Sequence, residues 1–225
     1  MGEGVRSLST SFVRTDLQRV AVRGLYLSVV CLSIITLVVG VTNADRASIS
    51  LMCRGDVFVS MSRGITKLGG SVVSWFVAIF GVIVAGIKRE FSWVLAFLLV
   101  PFLAARVGAI IKDAIMRPRP PIACAGISLS GFSFPSAHAT SVTAGFILLA
   151  LFFAAMVGLR WWLSALAWVL AGSVSVSRCV LGAHYPSDVL GGMILGGTLA
   201  YMVPLTMRGR SDRQHSFERG SNVTL

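Results

Sequence analysis

Long apolar runs recur along this chain, and they restrict what it can fold into more than any other feature. A helix that crosses the hydrocarbon core of a bilayer needs about 20 mostly apolar residues. Six runs meet that need, at 25–41, 69–87, 92–111, 136–157, 161–177 and 188–207. Composition agrees: 55% of the 225 residues are hydrophobic and 13% are charged, with a mean hydropathy of +0.81. That balance excludes a disordered chain and an ordinary soluble domain. The expected fold is all-α, a polytopic bundle of six transmembrane helices. It forms one domain, 25–207, between an N-terminal tail at 1–24 and a basic C-terminal tail at 208–225. No internal repeat or long linker divides it. The first run does not read as a cleaved signal: it is long for one, a tail precedes it, and no A-x-A-like site follows.

The net charge is +11, with 20 Lys plus Arg. In a soluble protein such an excess would point to nucleic acid. Here the charges track the apolar runs instead, so no nucleic-acid partner is expected. Arg6, Arg14, Arg19 and Arg23 precede the first run, and Lys88 and Arg89 separate the second from the third. Arg160 separates the fourth from the fifth, and Arg208, Arg210, Arg213 and Arg219 follow the sixth. With six spans all of these lie on one side. The positive-inside rule makes that side cytoplasmic and places both termini there. Arg46, Arg54, Arg63 and Lys67 in the opposite loop, 42–68, weaken the bias. Phe58, Met61, Ile65 and Leu68 recur there at near-helical spacing, the pattern of a helix lying on the membrane surface. Cys31 falls within the first run, and Cys53, Cys124 and Cys179 lie in or beside the outer loops. Spacing does not say whether any of them pair.

Three polar clusters interrupt this greasy background, all on the outer side. The first is KDAIMRPRP at 112–120, the second PSAH at 135–138, the third SRCVLGAHYPSD at 177–188. Lys112, Arg119 and Arg178 offer the forks and point charge that suit a tetrahedral oxyanion. Pro135 fits a helix start. Ser136, Ala137 and His138 would then present free backbone N–H groups, an anion site by geometry and dipole. His138, His184 and Asp188 remain, the equipment of acid–base and nucleophilic chemistry. No metal-ligand spacing is present, and neither a metal nor another cofactor is expected.

In this order and spacing the clusters resemble the three-part signature of the type 2 phosphatidic acid phosphatase family, the membrane branch of the vanadium-haloperoxidase-like phosphatases. Lys112 with Arg119-Pro120 matches the first motif. Pro135-Ser136-Ala137-His138 matches the second, with Ala137 where Gly is usual. Ser177-Arg178, His184 and Asp188 match the third. The resemblance implies a membrane lipid phosphate phosphatase that needs no metal. His184 would be the nucleophile that forms a phosphohistidine, and Asp188 would bind its other ring nitrogen and fix the tautomer. His138 would serve as general acid and then base. Lys112, Arg119, Ser136, the Ala137 N–H and Arg178 would hold the phosphate oxygens. Arg117-Pro118 repeats the Arg-Pro pair in a shifted register, and Arg117 is read as a charge on the rim of the site. Arg106, six residues before Lys112, is expected to face the bundle interior or a wet cavity, as site support or in an ion pair. Gly192 and Gly196 form a G-x-x-x-G suited to close helix packing.

The implied partner is a lipid phosphate within the bilayer of the cell membrane. Undecaprenyl diphosphate, phosphatidylglycerophosphate, phosphatidic acid and lipid A phosphate are the candidates. A lipid phosphotransferase and a non-catalytic binding or transport protein are the alternatives. Oligomeric state has no signature in the sequence.

Overall fold

The computed structural model describes Arg23 and residues 45–48, 55–121, 130–157 and 161–221, with side chains to 204 in the last segment. The first apolar run, three of the four cysteines and the N-terminal tail apart from Arg23 lie outside these residues. All regular structure among the described residues is helical. After a helical stretch at 45–48 come α1 (Asp56–Ile65), a 3-10 turn (Thr66–Gly69), α2 (Ser71–Ile87) and α3 (Phe91–Ile115). Then follow α4 (Ala137–Val157), α5 (Trp161–Val180) and α6 (Pro186–Ser221). Among the described residues four stretches, Asp56–Ile87, Phe91–Ile115, Ala137–Val157 and Trp161–Val180, are long and apolar enough to cross a membrane.

α4 is the central helix. It packs against α2, α3, α5, α6 and the 3-10 turn. Its side of the core is continuous: Phe152 meets Trp93 and Phe97 edge-on, with ring centroids 5.5 and 5.7 Å apart. On the outward faces of α2 and α3, Trp75, Phe76, Ile79, Leu98, Leu99 and Phe102 are exposed. An apolar exterior of this extent is what lipid contact requires and water would penalise. The closest helix contact is α4 with α6. A Cβ on Gly192 would fall 2.6 Å from the Ser136 carbonyl oxygen, and one on Gly196 would collide with the Thr140 carbonyl. The G-x-x-x-G thus lets two backbones touch at the level where α4 begins.

The helix in the 42–68 loop is present as α1. Val59 and Ser62 are buried, and α1 packs on α5. Val57, Phe58 and Met61 face outward. Tight turns reverse the chain at 88–90, where Arg89 takes a left-handed φ of 58°. The C-terminal ends of α3 and α5 and the N-terminal ends of α4 and α6 consequently gather at one end of the bundle, opposite Lys88 and Arg89. All three polar clusters sit at that end.

Candidate active site

Local chain chemistry sets each site element. α5 stops in a Schellman motif: Gly182, at φ 66°, donates to the Cys179 carbonyl, and Ala183 donates to the Arg178 carbonyl at 3.0 Å. Glycine has no Cβ penalty in that left-handed position. The motif aims Ala183 and His184 back across the bundle end. α6 then starts with Tyr185 as N-cap, Pro186 at the first helical position and Asp188 at the third. The Asp188 carboxylate reaches back to the Tyr185 N–H at 2.8 Å, half of a capping box. Helix capping and site placement are therefore one interaction.

Asp188 is fully buried. Its Oδ1 accepts from Arg117 Nη1 at 2.5 Å. Its Oδ2 accepts from the Ser133 hydroxyl as well as the Tyr185 N–H. His184, also buried, has Nδ1 2.8 Å from the Ser133 carbonyl oxygen and 3.6 Å from Asp188 Oδ2. The nitrogen expected to meet Asp188 thus meets Ser133 first. At 3.6 Å the carboxylate acts on the ring through its charge rather than through a hydrogen bond. Both neighbours of Nδ1 are acceptors, so Nδ1 carries the proton and Nε2 keeps its lone pair. Burial draws the His184 pKa below its ordinary value. Asp188 opposes that shift, and Arg119 and Arg178 add to it.

Arg119 Nη1 stands 3.2 Å from His184 Nε2 and donates to the Ala183 carbonyl at 2.9 Å. Its Nε and Nη2 donate to the Gly131 and Ser130 carbonyls. The guanidinium is therefore oriented by backbone before any ligand arrives. Burial lowers its pKa and Asp188 raises it; an arginine remains a cation through this. Lys112 spends two of its three donors on the Phe132 and Pro135 carbonyls, at 2.9 and 3.0 Å, which ties α3 to the loop ahead of α4. Arg178 donates to the Thr66 hydroxyl at 3.0 Å, and its buried Nε has no partner among the described residues. The buried Ser136 hydroxyl has none either. Unmet buried donors of this kind call for an explanation. His138 is half-buried, and the titratable groups whose charge reaches it are Arg178, His184 and Arg119.

Two expectations change. The Ser136 N–H is not free: it donates to the Asp188 carbonyl at 3.0 Å. Helix α4 begins one residue later, so the open first-turn amides start at Ala137. Arg117 is not on a rim. It is 3% exposed, paired to Asp188 on one side and to Asp45 at 2.7 Å on the other, with its guanidinium 4.6 Å from the Tyr185 ring centroid. Ser187 joins the cluster by accepting from Arg117 and donating to Asp45. Asp45, Ser133, Tyr185 and Ser187 had no signal in the sequence. Each acts through a partner on another element, or through its backbone, which residue type does not reveal. Arg106 lies away from these groups, on α3, with its guanidinium 5.3 Å from the Phe102 ring centroid. Cys179 is buried and free.

The assembly gathers two arginines, a lysine and helix-start amides around an imidazole whose Nε2 faces the Arg119 guanidinium at 3.2 Å. Similar proteins are named as phosphatases. Over 156 residues the chain is 34% identical to decaprenylphosphoryl-5-phosphoribose phosphatase of Mycobacterium tuberculosis, spanning 68% of this chain and 82% of that one. It is 30% identical over 172 residues to phosphatidylglycerophosphatase B of Bacillus subtilis, spanning 72% and 83%. The crystal structure of a transmembrane PAP2-type phosphatidylglycerolphosphate phosphatase from Bacillus subtilis superposes with a TM-score of 0.72 at 26% identity, covering 83% of this chain and 96% of that one. The PAP2 superfamily model matches residues 93–212, from the first turn of α3 into α6 and across all three clusters, and the chain belongs to that superfamily.

Proposed function

We propose that this protein removes the terminal phosphate of a membrane lipid through a phosphohistidine on His184. The observation that carries the reading is the state of that ring. Its Nδ1–H is committed to the Ser133 carbonyl, while Nε2 keeps its lone pair and faces Arg119 Nη1 at 3.2 Å. Lipid phosphates are also what the named relatives act on.

In this mechanism the substrate phosphate enters among Arg119, Arg178, the third donor of Lys112, the Ser136 hydroxyl and the Ala137 N–H. Arg119 turns its shared N–H from Nε2 to a phosphate oxygen. Nε2 attacks phosphorus in line, and the bond to the leaving oxygen breaks as His138 donates a proton to it. The cationic groups hold the three equatorial oxygens where transition-state charge spreads. Asp188 stabilises the imidazolium character that develops, as in other His–Asp pairs. His138 then takes a proton from water, the water oxygen attacks phosphorus, the P–N bond breaks and inorganic phosphate leaves. Charge neutralisation by these side chains makes the reaction independent of metal.

The same reading takes six spans, with both termini cytoplasmic and the pocket at the outer face, because Lys88 and Arg89 lie at the opposite bundle end. The substrate is a lipid carrying a terminal phosphomonoester or diphosphate. Its tails stay in the bilayer, where each buried CH₂ contributes about 0.8 kcal/mol. The test is phosphate release by the purified protein in mixed micelles with excess chelator, across the four candidate lipids and glucose phosphate. Release from at least one lipid, with kcat/KM far above that of the sugar phosphate, supports the reading. Equal rates on all five would refute lipid specificity, and activity restored only by added metal would refute metal independence.

A further inference from the structure

The two arginines of the site are held in different ways. Backbone carbonyls orient the Arg119 guanidinium. The Arg178 guanidinium makes one hydrogen bond among the described residues, from Nη1 to the Thr66 hydroxyl at 3.0 Å, and its buried Nε is unpaired there. Thr66 opens the 3-10 turn between α1 and α2 and lies ahead of the family-matched segment at 93–212. Local chain chemistry brings it to α5. Val59 and Ser62 are the buried residues of α1, and Thr66 continues their helical spacing. The backbone stays right-handed helical at Thr66, with φ −62° and ψ −24°. The face of α1 that packs on α5 therefore extends to its hydroxyl. The turn then presses onto the bundle. Gly69 is buried, and a Cβ there would collide with Val174 and meet the His138 ring at 3.4 Å. Val174 precedes Arg178 by about one turn of α5. One four-residue turn thus touches α5 beside the clamp arginine and α4 at His138.

Resting on the phosphatase reading above, we propose that Thr66 is a positioning residue: its hydroxyl holds Nη1 and so presents the Nε and Nη2 edge of Arg178 to the substrate phosphate. Nη1 lies on the same side of the guanidinium as the side-chain stem. Nε and Nη2 share the opposite edge, whose two parallel N–H groups match two oxygens of a phosphate. Thr66 therefore occupies a donor that this edge does not need. A buried Nε–H without an acceptor is costly, and a phosphate oxygen removes that cost when substrate binds. Tethering also matters before binding. A long side chain that is already held has less rotamer freedom to lose when it meets its ligand. The aimed fork acts again in the transition state, where charge spreads over the equatorial oxygens. Thr66 touches no substrate atom and works through Arg178 alone.

The experiment measures orthovanadate binding to the full-length protein in detergent micelles by calorimetry, alongside kcat/KM on the candidate lipid that wild type hydrolyses fastest. Vanadate stands in for the phosphoryl group in transfer. Thr66→Val and Thr66→Ala remove the hydroxyl, the first keeping the branched shape, and Thr66→Ser retains it. Both hydroxyl-less variants should weaken vanadate about tenfold and lower kcat/KM by a similar factor, the scale of one hydrogen bond to a charged group. Thr66→Ser should stay within about twofold of wild type. Arg178→Lys keeps the charge without a fork to aim. In that background, loss of the hydroxyl should change vanadate affinity by less than about twofold. Wild-type affinity in either folded hydroxyl-less variant overturns the proposal. So does an equal loss in the wild-type and Arg178→Lys backgrounds, which would mark a general effect on folding. Both results leave the phosphatase reading standing as long as wild type releases lipid phosphate. Wild type that neither binds vanadate nor releases phosphate from any of the four candidate lipids overturns that reading and the role of Thr66 with it.

Discussion

Replacing Arg117 with methionine removes the cation that lies between Asp45 and Asp188 while keeping much of the side-chain volume. The Arg117 side chain is 2% exposed, and its two ion pairs measure 2.5 and 2.7 Å. Breaking a buried pair by deleting one partner costs about 3–5 kcal/mol, because a charge is left buried without compensation. Here two carboxylates lose their cation, but each retains other donors. Asp45 keeps the Ser187 hydroxyl and N–H, and Asp188 keeps the Ser133 hydroxyl and the Tyr185 N–H. The lower end, about 3 kcal/mol, is therefore expected. Each 1.36 kcal/mol of Asp188 misplacement that persists in the transition state lowers the rate about tenfold. A kcat loss of about ten- to a hundredfold follows if about half to nine-tenths of that cost persists in the transition state. The assay is a double-mutant cycle of Arg117→Met with Asp45→Asn, read by denaturation in micelles and by kcat. Neutralising Asp45 should recover part of the stability, with a coupling of about 0.5–3 kcal/mol. Stability of Arg117→Met within about 0.5 kcal/mol of wild type, the usual range for a surface substitution, would refute the reasoning. So would strictly additive effects.

Three further outcomes are expected. The lowered His184 pKa favours the neutral ring in the folded protein, so its contribution to stability is present above the ordinary value of about 6.5 and is lost as pH falls through the lower folded value. The acid limb of kcat/KM should accordingly have its midpoint below about 6.5, and a midpoint above that would contradict the assignment of the neutral nucleophile. Gly192→Ala places a methyl 2.6 Å from the Ser136 carbonyl, which should cost about 1–3 kcal/mol of stability by overpacking and slow turnover by moving Ser136; thermal scans and kcat that match wild type would argue against the close approach. In intact cells a cysteine introduced after Arg210 should resist a membrane-impermeant thiol reagent and one introduced within 42–68 should react, with the reverse pattern placing the pocket inside.

The residues that gather at the bundle end were legible because phosphate chemistry needs particular side chains and because they stand beside apolar runs that have no other use for them. Lys112, Ser136, His138, Arg178, His184 and Asp188 all came from that contrast. The apolar runs also located the helices, with ends displaced where polarity and helicity part. α3 continues through Lys112 and Asp113 to Ile115, since a helix does not stop where hydrophobicity stops. Arg117 was misjudged for a physical reason. Two Arg-Pro pairs in succession look equivalent locally, and only the partner at Asp45, 72 residues away, distinguishes the buried one. Ser133 was invisible because its carbonyl orients His184, and every residue has a carbonyl.

The central claim is that His184 Nε2 forms a bond to phosphorus. Rapid quenching of a single turnover on a lipid labelled in its terminal phosphate, followed by peptide mapping, tests it most directly. The account predicts an acid-labile, alkali-stable label on the peptide containing His184, absent in His184→Ala and more abundant when His138→Ala blocks the attack of water. Full phosphate release with no enzyme-bound label at any quench time, or a label on another residue, would contradict it.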